Sequence, residues 1–147
     1  MKVEIYSTFV FLHVISAVLS IGPLFVILPL IKKIKKGTIP EESVYLSIIK
    51  VIVRIVMHAG HALVVTGVLL ILLGPWPWHT SWVIMTIVVM GLSGIFLATA
   101  FTRVIRNFDH YGTDKIAVLD RLNQTTWIYI GLMLLLLWLM VQKPNFW

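Results

Sequence analysis

Long apolar runs at residues 8–31, 51–74, 81–101 and 125–141 dominate the sequence, and the segments between them are too short to fold by themselves. Each run comes close to the ~20 residues a helix needs to cross ~30 Å of hydrocarbon. Inside lipid the backbone must satisfy its own hydrogen bonds, which leaves helices as the spanning form for such runs. The expected fold is therefore all-α: a four-helix transmembrane bundle of up-down topology, with residues 1–147 forming a single integral membrane domain. Composition agrees, with 59% hydrophobic residues and 12% charged, whereas soluble domains are about half apolar and about a quarter charged. The first run is longer than a bilayer requires, so tilt or projection is expected. Pro23 and Pro29 in its second half predict a kink or early unwinding. The run continues to Ile31 without a small-residue cleavage motif, which reads as a retained first helix rather than a signal peptide.

The charged residues give the orientation. Lys32, Lys33, Lys35, Lys36, Lys50 and Arg54 lie between the first two spans or at their edges, and Arg103, Arg106, Lys115 and Arg121 lie between the last two; only Lys2 and Lys143 fall elsewhere. The positive-inside rule then puts both basic loops in the cytoplasm and both termini outside, as a multi-pass protein of the bacterial cell membrane. This placement accounts for the net charge of +6 and argues against nucleic-acid binding. The absence of cysteine excludes disulfides, thiolate chemistry and cysteine-ligated clusters. Imidazole, thioether and carboxylate remain as ligands.

The connection "GPWPWHTSW" carries Trp76, Trp78 and Trp82, an aromatic belt for the outer interface. Its shortness predicts that the second and third helices are antiparallel neighbours. "KKGTIPEES" reads as a turn followed by a helix start, with Glu41 and Glu42 in the first turn. Gly112 in "RNFDHYGTDK" is expected to break that loop. Ser16 with Ser20, Gly94 with Ala98, and Gly60 with Gly67 are spaced to let helices approach closely.

Ionisable residues inside a membrane span are candidates for function, and here they are histidines. His13 is followed by Ser16, Ala17 and Ser20 on one helix face. An imidazole above small side chains leaves room for a flat macrocycle, so the face suits b-type haem; it would equally suit close packing around a hydrogen-bonded histidine. His58 and His61, at i and i+3, point to roughly the same side, yet two imidazoles are too few for a complete zinc site. Arg54 and His58, near the cytoplasmic interface, are placed to meet a haem propionate, a quinone head group or a lipid phosphate, or to snorkel. His13 lies about five residues into its run and His61 about thirteen, an offset of ~12 Å at ~1.5 Å per residue. One iron held between both requires the first helix to extend outward to about Lys2. Met85 in the third run and Met140 in the fourth match the depth of His13 better, and Met85 is the alternative axial ligand. His79 and His110 fall in loops and are expected to be solvated.

"FLHVISAVLSIGPLFVILPL", with His13 followed nine residues later by Gly22, resembles the first helix of a small four-helix bacterial integral membrane protein family of unknown function, related to the copper-resistance protein D membrane domain. "VVTGVLLI" and "LLWLMVQKP" are similar to the same group, so the resemblance spans nearly the whole chain. A more distant likeness is to the membrane protoporphyrinogen oxidases of the HemJ type, which bind b-type haem through a histidine in helix one. That likeness implies His13 as a haem ligand. Here "PLFVILPLIKK" lacks the arginine that follows the proline in that group, and helix two lacks its lysine.

The expected function is b-type haem binding in electron transfer, haem handling or as a respiratory accessory. His13 and His61 would ligate the iron, with His58, Arg54, Ser16 and Ser20 around it. The protein would set the properties of the iron through its axial ligands and burial rather than perform organic chemistry. Two other readings stand beside it: a copper-handling or transport component using His and Met ligands, and a non-catalytic partner subunit. The partners expected are the lipid bilayer, a quinone or respiratory-chain protein, and a second copy of the chain.

Overall fold

A computed structural model describes residues 2–103 and 115–146. Four helices carry the fold: α1 (Lys2–Lys36), α2 (Ile39–Leu73), α3 (Ser81–Phe96), which continues as a π-helical segment Leu97–Phe101, and α4 (Lys115–Gln142). All four spans are long and apolar enough to cross a membrane. The chain is an all-α membrane bundle.

Three of the helices are longer than the apolar runs within them. The 35 residues of α1 reach about 52 Å at ~1.5 Å per residue, against ~30 Å of hydrocarbon. The surplus carries the charge: Lys33, Lys35 and Lys36 close α1, and Glu41 and Glu42 open α2. Pro23 and Pro29 both lie inside α1 without interrupting it. An unwound turn in lipid would expose backbone polar groups, which favours keeping the helix intact. The turn after α1 forms as expected. Thr38 caps α2, its backbone N–H donating to Glu41 Oε2 at 2.8 Å and its hydroxyl to the same oxygen at 3.0 Å. Gly112, Arg106 and His110 lie outside the described residues.

At the basic end the helices are tied together by charge and by apolar packing. Lys115 pairs with the buried Glu42, and Lys35 pairs with Asp120 at 2.5 Å. Leu24, Ile27, Ile31 and Ile34 of α1, Ile49 and Val56 of α2, and Leu119 and Leu122 of α4 form a dry core. The π-helical segment belongs to it. Hydrogen bonding at i→i+5 spacing turns residues five apart toward one side, so Phe96 stacks on Tyr129 at 6.5 Å between centroids while Phe101 meets the same ring edge-on at 6.0 Å.

The spatial order of the helices is α2, α1, α4, α3: α1 packs on α2 and on α4, and α3 packs on α4. The expectation that α2 and α3 are neighbours is corrected, because they barely touch along their lengths. Gly74–Thr80 is long enough to bridge the gap, and Pro75 and Pro77 limit how tightly it can fold back. The packing faces of α1 and α4 outweigh the short loop. A gap between α2 and α3 is left at the end opposite the basic loops, the outer end by the positive-inside rule.

Candidate functional site: a pocket at the outer end

His13 sits half-buried on α1, with Nδ1 2.9 Å from Thr66 Oγ1 on α2. The direction of this bond follows from the protons available. Thr66 has one hydroxyl hydrogen, and it is directed at the Ala62 carbonyl at 2.7 Å, with the Leu63 carbonyl at 3.1 Å. Thr66 therefore accepts from His13, so Nδ1 carries the proton and Nε2 of the neutral ring keeps a free lone pair. The Leu63 backbone carbonyl is a further hydrogen-bond partner of the ring. The next residue on α2 makes room for the imidazole. A Cβ at Gly67 would lie 3.2 Å from His13 Cε1, whereas one at Gly60 would meet nothing within 4 Å. Of the two glycines, it is Gly67 that the close approach to His13 requires.

The imidazole forms part of the wall of a cavity of about 240 Å³. Tyr6 and Val10 join it from α1, and Val68, Leu70 and Ile71 from α2. Val83, Thr86, Ile87 and Met90 come from α3, and Trp76, Trp82, Met140 and Lys143 surround the outer rim. The lining is mainly apolar, with His13, Thr86, Tyr6 and Lys143 as polar members. Thr86 is 8% exposed, and its Oγ1 has no hydrogen-bond partner among the described residues. Several other buried hydroxyls on these helices turn back to the carbonyl four residues earlier, as in Ser20 to Ser16, Ser93 to Val89 and Thr126 to Leu122.

The rim is held by the chain's last turn. Lys143 is left-handed at φ 46, and its N–H donates to the Leu139 carbonyl at 3.0 Å, an αL cap on α4. Its ammonium lies 4.3 Å above the Trp76 ring, which meets Trp82 edge-on at 5.5 Å. Beyond it, the Ser81 hydroxyl donates to the Pro144 carbonyl at 3.0 Å and accepts from the Phe146 N–H at 3.0 Å.

The other expected site residues fall elsewhere. His58 and His61 are exposed on the outside of α2, with ring centroids 6.4 Å apart and edge-on. Five residues separate His61 from Thr66, a turn of about 140° around the helix and ~7.5 Å along it. His61 and His13 are thus not brought to one centre. Arg54 is also exposed, near the basic end. Ser16 and Ser20 are buried, and their hydroxyls donate to the Leu12 and Ser16 carbonyls, each at 2.8 Å. Protein already covers that face. Met85 is half-buried outside the cavity, while Met90 and Met140 line it. Among the described residues no group of three His, Cys, Asp or Glu side chains is placed to hold a metal ion.

Sequence reasoning missed Thr66, Thr86 and Lys143, and named Gly67 for close helix approach without its partner His13. The "TG" step inside an apolar run was the available signal for Thr66 and for that partner, since a hydroxyl beside a glycine lets a polar ring of a neighbouring helix come close.

Neither curated proteins nor solved structures give a match to this chain. A family profile described as "Predicted integral membrane protein (DUF2269)" matches residues 7–144, from the first turns of α1 to beyond the end of α4. The likenesses to the copper-resistance membrane domain and to the HemJ-type oxidases form no part of that match. By the extent of the match, the chain belongs to this family of predicted integral membrane proteins.

Proposed function

We propose that the protein is a binding component of the membrane rather than an enzyme, and that its outer pocket holds the ring of a small lipid-soluble cofactor used in electron transfer. One observation carries this reading. The gap between α2 and α3 ends at an imidazole held in place by Thr66, within a wall that is otherwise mainly apolar. Apolar pockets with a few convergent polar groups are the usual form of small-molecule sites.

A b-type haem meets only part of what this pocket offers. The donor chemistry is suitable, because a ligating histidine typically has its second nitrogen anchored as His13 has. The room is not. The cavity of about 240 Å³ is smaller than the roughly 300–1,000 Å³ that holds drug-sized ligands, and a porphyrin is larger than most of these. The buried Ser16 and Ser20 face leaves no flat space beside the helix, and the imidazoles of His58 and His61 lie outside the pocket. A single ring fits better.

Copper handling is the second reading, favoured by Met90 and Met140 lining the same cavity as His13. Thioether and imidazole together suit Cu(I).

Purification in mild detergent, followed by organic extraction with mass spectrometry, an absorption spectrum and metal analysis, tests these readings together. The expected result is a redox-active ring compound that co-extracts with the wild-type protein and is lost in His13→Ala. A Soret band that disappears in His13→Ala would overturn the ring reading in favour of haem. Stoichiometric copper would overturn it in favour of the second reading.

A further inference from the structure

We propose that the outward face of α2 packs on a second copy of the chain, and that His58 and His61 of the two copies together hold one zinc ion. The site lies apart from the outer pocket and does not depend on what that pocket binds.

The place of α2 in the bundle leaves this face open. α2 ends the row of helices and packs along its length on α1, burying Ile52, Val56, Ala59 and Leu63. At ~100° per residue the opposite side carries Arg54, His58, His61, Val65 and Leu72, and all five are exposed. Their intervals of four, three, four and seven residues are those of a seam along which one helix packs on another.

The two imidazoles do not suit lipid. His61 lies twelve residues from the Leu73 end of α2, ~18 Å at ~1.5 Å per residue and past the middle of ~30 Å of hydrocarbon. Lipid tails offer the ring nitrogens no hydrogen bond, so an exposed imidazole at that depth is unfavourable unless a second protein surface covers it.

Symmetry and the ligand count point to a second copy as that surface. Copies of one chain insert with the same orientation, so a two-fold pair joined at this seam has parallel α2 helices, with like residues at one depth. His58 and His61 of one copy then meet the same two residues of the other. Within one chain the rings already stand edge-on, 6.4 Å between centroids, and ligands three residues apart on a helix can serve one metal. Two imidazoles are half of a tetrahedral zinc site, and the pair of chains supplies the four that complete it. Among the described residues no third ligand from the same chain joins them. Arg54, one turn nearer the basic end, is long enough to reach the head groups and leave the seam clear.

The test has two arms. The whole chain in mild detergent, stripped with EDTA, is titrated with zinc chloride. About one ion should bind per two chains, and His58→Ala or His61→Ala should weaken binding at least about tenfold, the lower end of what removing even a supporting partner of a metal ligand does. The chain has no cysteine, so Leu72→Cys places a single thiol on the seam and Val141→Cys places one on an exposed position of α4. In native membranes a short bis-maleimide should join Leu72→Cys chains to each other, more fully with zinc than with EDTA, and leave Val141→Cys chains single. One zinc per chain, or none in protein whose circular dichroism shows intact helices, would overturn the shared site. Leu72→Cys chains that crosslink no more than Val141→Cys chains, or that crosslink to a different membrane protein instead, would overturn the pairing of copies.

Discussion

His13 of α1 donates to Thr66 of α2 across 2.9 Å, and Thr66 passes its own proton to the Ala62 carbonyl at 2.7 Å. This relay fixes the height of one helix against the other as well as the tautomer of the ring. Thr66→Val keeps the side-chain shape and removes the acceptor. Thermal unfolding in detergent should show a loss of about 1–2 kcal/mol, the usual effect of removing one partner of a partly buried hydrogen bond. Nitrogen NMR of labelled histidine should show a mixed tautomer where the wild-type protein has Nδ1 protonated. An unchanged tautomer in Thr66→Val would show that the proton is held by something else.

Gly67 and Gly60 provide an internal comparison. Both lie on α2, where replacing glycine by alanine ordinarily gains up to ~1 kcal/mol. At Gly60 a methyl group meets nothing within 4 Å, so Gly60→Ala should be neutral or stabilising. At Gly67 it would stand 3.2 Å from His13 Cε1, so the ring must shift by a few tenths of an ångström. Gly67→Ala should lose the propensity gain and weaken ligand binding, and Gly67→Leu should abolish binding. Paired melting curves and titrations for these variants decide it; equal binding by Gly67→Leu and wild type would place the ligand elsewhere.

The ion pairs at the basic end should differ in value. Glu42 is 10% exposed at its side chain and Asp120 60%. Glu42→Gln leaves the Lys115 ammonium without its charge partner beside a buried amide, and should lower stability by roughly 1.5–3 kcal/mol. Asp120→Asn breaks an exposed pair with Lys35 and should change stability by about 0–1 kcal/mol, an effect that disappears in high salt. Unfolding titrations of both variants at low and high salt measure the difference.

The spans and the start of α2 were legible in the sequence because length, hydropathy and a turn followed by Glu41 and Glu42 are local properties, whereas the Thr38 cap itself was not read. The helix order was not legible. A short loop ties only the ends of α2 and α3, whereas the faces that decide packing, such as the buried Ser16 and Ser20 of α1, act over the whole length. His13 was legible as a candidate, but not its partner. That depended on α1 starting at Lys2, ahead of the apolar run, which lowers His13 to the level of Thr66. His61 was paired with it by residue type, although a helix turns about 140° in the five residues from His61 to Thr66.

His58 and His61 yield the prediction that separates the pocket from the surface. Both face outward from α2, and neither lines the cavity. The pair lies within two turns of Arg54, close enough to the basic end for His58 to reach toward head groups. The double variant His58→Ala, His61→Ala should therefore keep the ligand affinity of the wild type within about twofold, while His13→Ala should lower it by at least about tenfold, the scale of one lost buried hydrogen bond. Titration of the three proteins with the same ring compound, alongside circular dichroism to confirm the helices, makes the comparison. A large loss in the double variant with His13 intact would move the site to the outside of α2 and set the pocket aside.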